Sequence, residues 1–309
     1  MNDPHHEDGG AIPGSGGQPA FHLRAQRAGP PLPVVIAVPH AGRGYPDRLL
    51  QNMRYPGESS LRLEDRFVDL VGEAVARETG ASLVVALAPR AMLDLNRAPE
   101  DVDWAMVAEG APPDNAAHAA GRRARSGLGL VPRRLPGMGE LWRSRISRAE
   151  LDERIDTIHR PYHAAVAKAL ETTRDRWGAA LLIDLHSMPP LGPKTGADAA
   201  PDFVVGDRYG ASCASDLSSA ALHHLERRLR RAAHNRPYAG GYVLDRHGAP
   251  SRGLHAMQIE VCRLTYLDRA MKEPGQGMDG VIDILSGLVR VLGAKLASDT
   301  TRFLTQAAE

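Results

Sequence analysis

Short apolar runs alternate with longer amphipathic segments along most of this 309-residue chain, and this alternation constrains the possible folds more than any other feature. Strands that alternate with helices predict a single α/β domain, in which a mixed, mainly parallel central sheet is flanked by helices on both faces. The predicted strands are 34–38, 82–88, 179–185, 202–205, 242–244 and 256–261, and the predicted helices are 61–77, 155–173, 217–232 and 281–296.

Two stretches lie outside this alternation. Residues 1–22 are rich in Gly, Pro and charge without periodicity, which predicts a flexible tail before a single domain of residues 23–309. Residues 103–148 are an Arg-rich insertion, which we interpret as solvated loops and short helices. The alternatives are a lid that brings an arginine to an anionic substrate, or a nucleic-acid contact, although aromatic residues for base stacking are nearly absent there.

Composition excludes several classes of partner. The chain has 38 Lys and Arg residues and 37 Asp and Glu residues, which gives a net charge of +1. This charge is too balanced for a chain whose main partner is a nucleic acid. Cys213 and Cys262 form neither a disulfide framework nor a zinc knuckle. No apolar run approaches the length of a membrane span, and the N-terminus lacks a signal-peptide pattern. We therefore expect a cytoplasmic protein without a nucleic-acid or membrane partner.

Two histidines follow predicted strands and suggest a metal site. His40 comes after the strand at 34–38 and His186 after the strand at 179–185. Ligands of open α/β sheets bind at the carboxyl ends of the strands, so these side chains are expected at one edge of the sheet. A catalytic metal needs a third ligand, and Glu64 and Asp65 are the candidate carboxylates. The competing interpretation is that both are acids favoured by a helix N-terminus.

Asn96 and Arg97, in the segment DLNR, are candidates for substrate binding. Arginine can bind a carboxylate with two parallel hydrogen bonds, and the neighbouring amide can add a third. The alternative is an ordinary turn with a surface arginine. By itself, this short segment does not decide between the two.

Glu260 is the candidate general base, because it interrupts an otherwise apolar strand. Alternation along the strand places it on one face with Gln258 and Cys262. A buried carboxylate must be paired, protonated or functional. A raised pKa suits a base that acts on metal-bound water, whereas a salt bridge to Arg263 or Arg97 is the structural alternative.

Further histidines lie in two other segments. His159 and His163 are four residues apart on a predicted helix, and we interpret them as packing residues or as supports for the site. Arg246 and His247 are candidates for substrate binding.

Together these segments resemble the N-formylglutamate amidohydrolase family. The resemblance runs in order from about residue 34 to about residue 268, and it rests on PHAGRGYP, EDRFVD, DLNR, DLHSMP, HRPYHAA and GGYVLDRHGAPSRGLHAMQIEVCR. It implies a phosphorylase/hydrolase-like fold similar to that of zinc carboxypeptidases and aspartoacylase. It also implies His40 and His186 as zinc ligands, Asn96 and Arg97 as binders of the substrate carboxylate, and Glu260 as the base.

One departure from a related pattern bears on the metal site. Zinc carboxypeptidases place a carboxylate ligand three residues after the first histidine, but Arg43 stands there in this chain. The carboxylate must then come from Glu64 or Asp65, and the register of the family segment selects Asp65.

The resemblance predicts an amidohydrolase that carries one Zn²⁺ per chain, held by His40, Asp65 and His186. Its substrate is expected to be a small amide that bears a carboxylate, such as N-formyl-L-glutamate, with formate and glutamate as products in histidine breakdown. Arg97 or an arginine of the insertion would stabilise the oxyanion. The alternatives are a non-catalytic or regulatory binding protein that keeps the fold, and a metallo-carboxypeptidase or deacylase with a different substrate.

Overall fold

The computed structural model describes residues 4–26, 29–108, 121–196 and 198–306. The strands are β1 (Pro4–Gly9), β2 (Phe21–Gln26), β3 (Val34–Val38), β4 (Ser82–Ala86), β5 (Arg134–Leu135), β6 (Gly139–Glu140), β7 (Ala180–Met188), β8 (Phe203–Gly206), β9 (Ala232–His234) and β10 (Leu254–Cys262). The helices are α1 (Asp47–Asn52), α2 (Pro56–Leu63), α3 (Val68–Thr79), α4 (Arg122–Arg125), α5 (Arg148–Arg154), α6 (Arg160–Trp177), α7 (Ser215–Arg227), α8 (Tyr242–His247) and α9 (Met278–Gln306). A π-helical turn, Ile155–His159, joins α5 to α6.

Eight strands form one sheet, in the order β1-β2-β4-β3-β7-β10-β8-β9. The four central strands, β4, β3, β7 and β10, are all mutually parallel. Antiparallel pairs bring β1 and β2 to one edge and join β8 to β10 at the other. The predicted mixed, mainly parallel sheet is confirmed. Its central strands are buried on both faces, which explains why β3 and β4 are almost entirely apolar in the sequence.

The core lies on both faces of this sheet. On one face, Tyr162, Val166 and Leu170 of α6 pack with Leu182 of β7. The other face is covered by α3, α7 and α9, whose apolar side chains pack with those of the same strands. The predicted helices on both faces are therefore confirmed. Among the described residues, no helix is long and apolar enough to cross a membrane.

The helix predicted over residues 61–77 is wrong in one respect, because two helices occupy this stretch. Helix α2 ends at Leu63 and α3 begins at Val68, and between them Phe67 adopts a left-handed conformation with φ 58°. The backbone N–H of Asp65 donates to the carbonyl of His40 at 2.9 Å, which draws this corner towards the end of β3. Apolar spacing continues across the break because the apolar faces of both helices are buried.

The strand predicted at 242–244 is also wrong, because these residues begin helix α8. Val243 and Leu244 are buried in the core, so their apolar character reports burial rather than extended backbone. Three residues are too few for a periodicity to distinguish a strand from a helical turn.

The prediction of a flexible tail over residues 1–22 does not hold for residues 4–22. Strand β1 pairs with β2, and β2 pairs with β4, so this segment extends the sheet. Between β1 and β2, Ile12 and Ala20 are buried. Strand pairing at a sheet edge uses backbone groups, so a segment rich in Gly and charge can join without an apolar pattern.

The insertion at 103–148 is described except for residues 109–120. Its described part contains a 3₁₀ turn, helix α4 and the hairpin of β5 and β6. Arg133 pairs with Asp103 at 2.7 Å and with Glu140 at 2.5 Å, so part of the arginine density serves local ion pairs. Several apolar residues of this stretch, such as Leu141 and Ile146, belong to the core.

Candidate metal centre and active site

Three buried side chains converge at the carboxyl end of the parallel strands. The structure brings one potential ligand atom each of His40, Asp65 and His186 within 4.8 Å of one another. His40 lies just beyond β3, and Asp65 lies in the corner between α2 and α3. His186 lies within β7, which continues to Met188, rather than after the strand as predicted.

Each histidine is held through one ring nitrogen by its own buried aspartate, in addition to facing Asp65. His40 Nε2 lies 2.7 Å from Asp94 Oδ1, and His186 Nε2 lies 2.8 Å from Asp184 Oδ2. A carboxylate behind a histidine fixes the tautomer and the orientation of the ring. The two Nδ1 atoms therefore face Asp65, whose Oδ2 is 2.9 Å from that of His186 and 3.6 Å from that of His40.

This donor set fits a divalent metal. His40 Nδ1 is buried and has no hydrogen-bond partner in the part of the chain that the structure describes. Two neutral imidazole nitrogens and one carboxylate oxygen are a typical protein ligand set of catalytic Zn²⁺ sites, which leave a further position for water. Glu64, the other candidate carboxylate, pairs instead with Arg66 at 3.1 Å.

Arg263 fixes the corner that carries Asp65. Its guanidinium donates to Asp65 Oδ1 at 3.3 Å, to the carbonyl of Glu64, and to Ser187 Oγ at 3.1 Å. Burial acts to raise the pKa of Asp65, but the hydrogen bond from His186 and the proximity of His40 outweigh burial and hold that pKa well below its ordinary value. Asp65 is therefore an anion in this site.

Glu260 lies beside His186, because the two residues are in register on the neighbouring strands β10 and β7. Its Oε1 accepts a hydrogen bond from Gln258 Nε2 at 2.9 Å. Burial raises the pKa of Glu260 to about 7, against the opposing charge of His186. Arg263 donates to Ser187 and to the corner, and Arg97 donates to backbone carbonyls. Neither forms the predicted alternative, a salt bridge to Glu260.

Asn96 lies next to the metal group, with its Nδ2 3.5 Å from His186 Nε2, and both Asn96 and Arg97 have part of their hydrogen-bonding capacity already used. Asn96 Oδ1 accepts from the backbone N–H of Val243 at 3.0 Å, and its Nδ2 is 3.4 Å from Gln258 Oε1. Arg97 donates through Nε to Leu128 O at 3.0 Å and through Nη1 to Asn96 O at 2.7 Å. These contacts fix both side chains in place.

Charges of both signs surround Arg97. Burial lowers the pKa of Arg97, and the charges of Arg90 and Arg123 lower it further, against the opposing charges of Asp94 and Asp101. A partly buried guanidinium is a favourable group for binding an anionic ligand.

Arg90 is a site residue that the sequence reasoning missed. It donates to Asp94 Oδ2 through Nε at 3.0 Å, and its Nη2 lies 2.9 Å from the same oxygen. Its charge acts on both Asp65 and Glu260. The sequence contains one indication of this position: Arg90 precedes DLNR by only a few residues, in the same loop after β4.

The other histidines form a cluster behind this loop. His163 Nε2 bonds to Leu95 O and His159 Nε2 to Arg97 O, which agrees with their interpretation as supporting residues. His247 Nε2 lies 3.0 Å from His163 Nδ1, so the structure places His247 in this buried cluster. Burial lowers the pKa of His247 to about 4, and the charge of Arg246 lowers it too. Arg246 is exposed, next to the cluster.

Comparison with known proteins gives consistent matches. Residues 32–267 match the protein family described as N-formylglutamate amidohydrolase. An N-formylglutamate deformylase of Pseudomonas putida is 29% identical over 241 residues, which cover 77% of this chain and 82% of that protein. The deformylase of Pseudomonas aeruginosa is 27% identical over 245 residues, covering 77% and 83%. The crystal structure of N-formylglutamate amidohydrolase from Ralstonia eutropha superposes with a TM-score of 0.79 at 30% identity, covering 92% of this chain and 99% of that one.

Proposed function

The chain belongs to the N-formylglutamate amidohydrolase family, hydrolases that act on an amide bond, and we propose that it releases formate from an N-formyl amino acid such as N-formyl-L-glutamate. We propose one Zn²⁺ per chain at His40, Asp65 and His186. With N-formyl-L-glutamate the products are formate and glutamate, as in a step of histidine breakdown. The observation that carries the proposal is the convergence of three buried ligand atoms beside Glu260.

A divalent metal, when bound, supplies a Lewis acid that activates water and polarises the amide carbonyl. Glu260 is suited to accept a proton from the attacking water, because its pKa of about 7 lies near neutral pH. The same carboxyl group then donates that proton to the leaving amine. Gln258 holds one oxygen of Glu260, which keeps the group directed at the site.

Arginines provide the positive charge that the substrate needs. Arg97, with Asn96 beside it, is proposed to bind the substrate carboxylate, because a guanidinium can hold a carboxylate with two parallel hydrogen bonds. Arg90 lies close enough to influence Asp65 and Glu260. We therefore assign to it the stabilisation of the negative charge that develops on the carbonyl oxygen. This differs from the sequence expectation, which considered Arg97 or an arginine of the insertion for that task.

The test compares an acidic substrate with a neutral one. Formate release is measured from N-formyl-L-glutamate and from its dimethyl ester, with the unaltered protein and with Arg97→Lys. Losing a charge-assisted hydrogen bond costs about 1.5–3 kcal/mol, so kcat/KM for the acid should fall roughly 10- to 150-fold in Arg97→Lys. The ester should be hydrolysed poorly by both proteins and to a similar extent.

Two results would contradict the proposal. Equal hydrolysis of ester and acid by the unaltered protein would remove carboxylate recognition and favour a generic amidase. Stoichiometric metal without hydrolysis of either substrate would favour a binding protein that has kept the fold.

A further inference from the structure

A cavity of about 480 Å³ lies between helices α1 and α5 and the turn that joins β1 to β2. None of the metal-group residues lines it, and neither does Glu260. Its apolar walls come from Pro13, Pro46, Leu49 and Met92. It is therefore a compartment separate from the candidate active site.

The cavity is lined by Arg154, an arginine that is only 3% exposed. Its Nη1 donates to Met92 O at 2.8 Å and its Nη2 to Glu150 Oε1 at 2.5 Å. The third nitrogen, Nε, is buried and has no partner among the described residues. A buried guanidinium with an unused N–H is costly unless something binds to it.

Charges of both signs stand at the same cavity without partners. Arg48, Arg145 and Glu153 all line it and are exposed, and none of the three makes an ion pair within the described parts of the chain. Burial lowers the pKa of Arg154, and the charges of Arg48 and Glu153 also act on it, in opposite directions. Arg48 and Glu153 therefore lie near Arg154, and Arg145 lines the same cavity.

We propose that this cavity binds a free α-amino acid, with the carboxylate at the arginines, the ammonium group at Glu153 and the side chain against the apolar wall. A simple anion leaves Glu153 uncompensated, and a simple cation would face three guanidinium groups. A zwitterion satisfies both signs at once. The cavity volume is also within the range of small-molecule sites.

The experiment is calorimetric titration of the full-length protein with three matched probes: L-leucine, 4-methylpentanoate, which lacks the amine, and isoamylamine, which lacks the carboxylate. L-Leucine should bind at least about tenfold more tightly than either analogue, because each analogue loses a charge-assisted contact. Because the readout is binding rather than turnover, failure here leaves the proposed hydrolase activity untouched, and the reverse also holds.

Variants assign the binding to this cavity. The double variant Arg48→Glu, Arg145→Glu should lower the affinity for L-leucine by about tenfold or more. Both positions are exposed, so the fold is preserved. Glu153→Gln should reduce the affinity for L-leucine to that for 4-methylpentanoate. Arg143→Glu, in the same loop but outside the cavity lining, is the matched control and should leave affinity unchanged.

Three outcomes would overturn the proposal. Absence of L-leucine binding at millimolar concentration excludes the site. Unchanged affinity in the Arg48→Glu, Arg145→Glu protein places any binding elsewhere. Equal affinity for L-leucine and 4-methylpentanoate reduces the cavity to a site for simple anions.

Discussion

At the scale of single residues, the choice between two adjacent carboxylates decides the metal site. Asp65 directs Oδ2 to both histidines, whereas Glu64 is buried in an ion pair with Arg66. Both are 2% exposed, so burial alone does not separate them. The backbone corner separates them, because the Asp65 N–H bonds to the carbonyl of His40.

Asp65→Asn and Glu64→Gln should therefore differ in metal content. Asp65→Asn removes the anionic ligand and should lose stoichiometric metal, because a three-ligand site depends on each member. Glu64→Gln should keep about one metal per chain. Metal analysis of the folded, gel-filtered proteins measures both, and equal loss in the two variants would contradict the assignment of Asp65.

Glu260→Gln tests the base. The amide keeps the size of the side chain but cannot accept the proton, so kcat should fall about 10²- to 10⁴-fold. Metal content and the melting temperature should stay near those of the unaltered protein, since Glu260 is not in the metal group. A well-folded Glu260→Gln protein with near-normal kcat would move the base to another residue.

At the scale of elements, the site depends on loops that pack closely at the strand ends. A Cβ on Gly42, just after His40, would lie 2.1 Å from the carbonyl oxygen of Ala88 in the loop after β4. Two backbones approach there without room for a side chain. This contact fixes the loop of His40 against the loop that leads to Asp94, so element packing sets the distance between a ligand and its supporting carboxylate.

Gly42→Ala should lower both stability and metal affinity, because backbone must move to admit the methyl group. Overpacking of this kind costs about 1–3 kcal/mol. Gly57→Ala is the matched control, since a Cβ there meets nothing within 4 Å and the position is helical. Urea unfolding with a parallel metal titration measures the effects, and equal stability of the two variants would contradict the close-packing argument.

At the scale of the whole molecule, the buried histidine cluster couples folding to pH. His163 and His247 are neutral in the fold, because burial lowers the pKa of both, that of His247 to about 4. In the unfolded chain a histidine has a pKa near 6.5, so between about pH 6.5 and 4 the unfolded state binds more protons. Protons then favour unfolding.

The contribution of this cluster to the free energy of unfolding should therefore be highest above about pH 6.5 and fall as the pH drops towards 4, with His247 contributing up to about 3 kcal/mol. His247→Gln should lose less stability than the unaltered protein between pH 7 and pH 5. His223→Gln, on an exposed position of α7, is the control and should keep the full dependence. Urea midpoints at the two pH values provide the measurement. An identical change in midpoint between pH 7 and pH 5 in all three proteins would contradict this role of the cluster.

The order of residues along the chain was enough to predict the central architecture and several candidate residues of the site. Apolar patterning reports burial: β3 is a continuous apolar run and β7 a mainly apolar one, and both are buried along their whole length. Histidines near the ends of those strands had to meet at one edge of the sheet, because parallel strands share that edge. His40, His186 and Glu260 were therefore within reach of sequence reasoning.

The way those residues are held in place depends on the assembled fold. The corner at Asp65 forms because its backbone N–H bonds to the carbonyl of His40, and the edge strands form by backbone pairing with β4. Asp94 and Asp184 determine which ring nitrogen each histidine directs at Asp65, and Arg90 contacts the site through Asp94. Apolar patterning records whether a side chain is buried, but not which distant backbone or carboxylate group bonds to it. Hydrogen-bond partners come from the assembled fold, so they could not be derived from the order of residues along the chain.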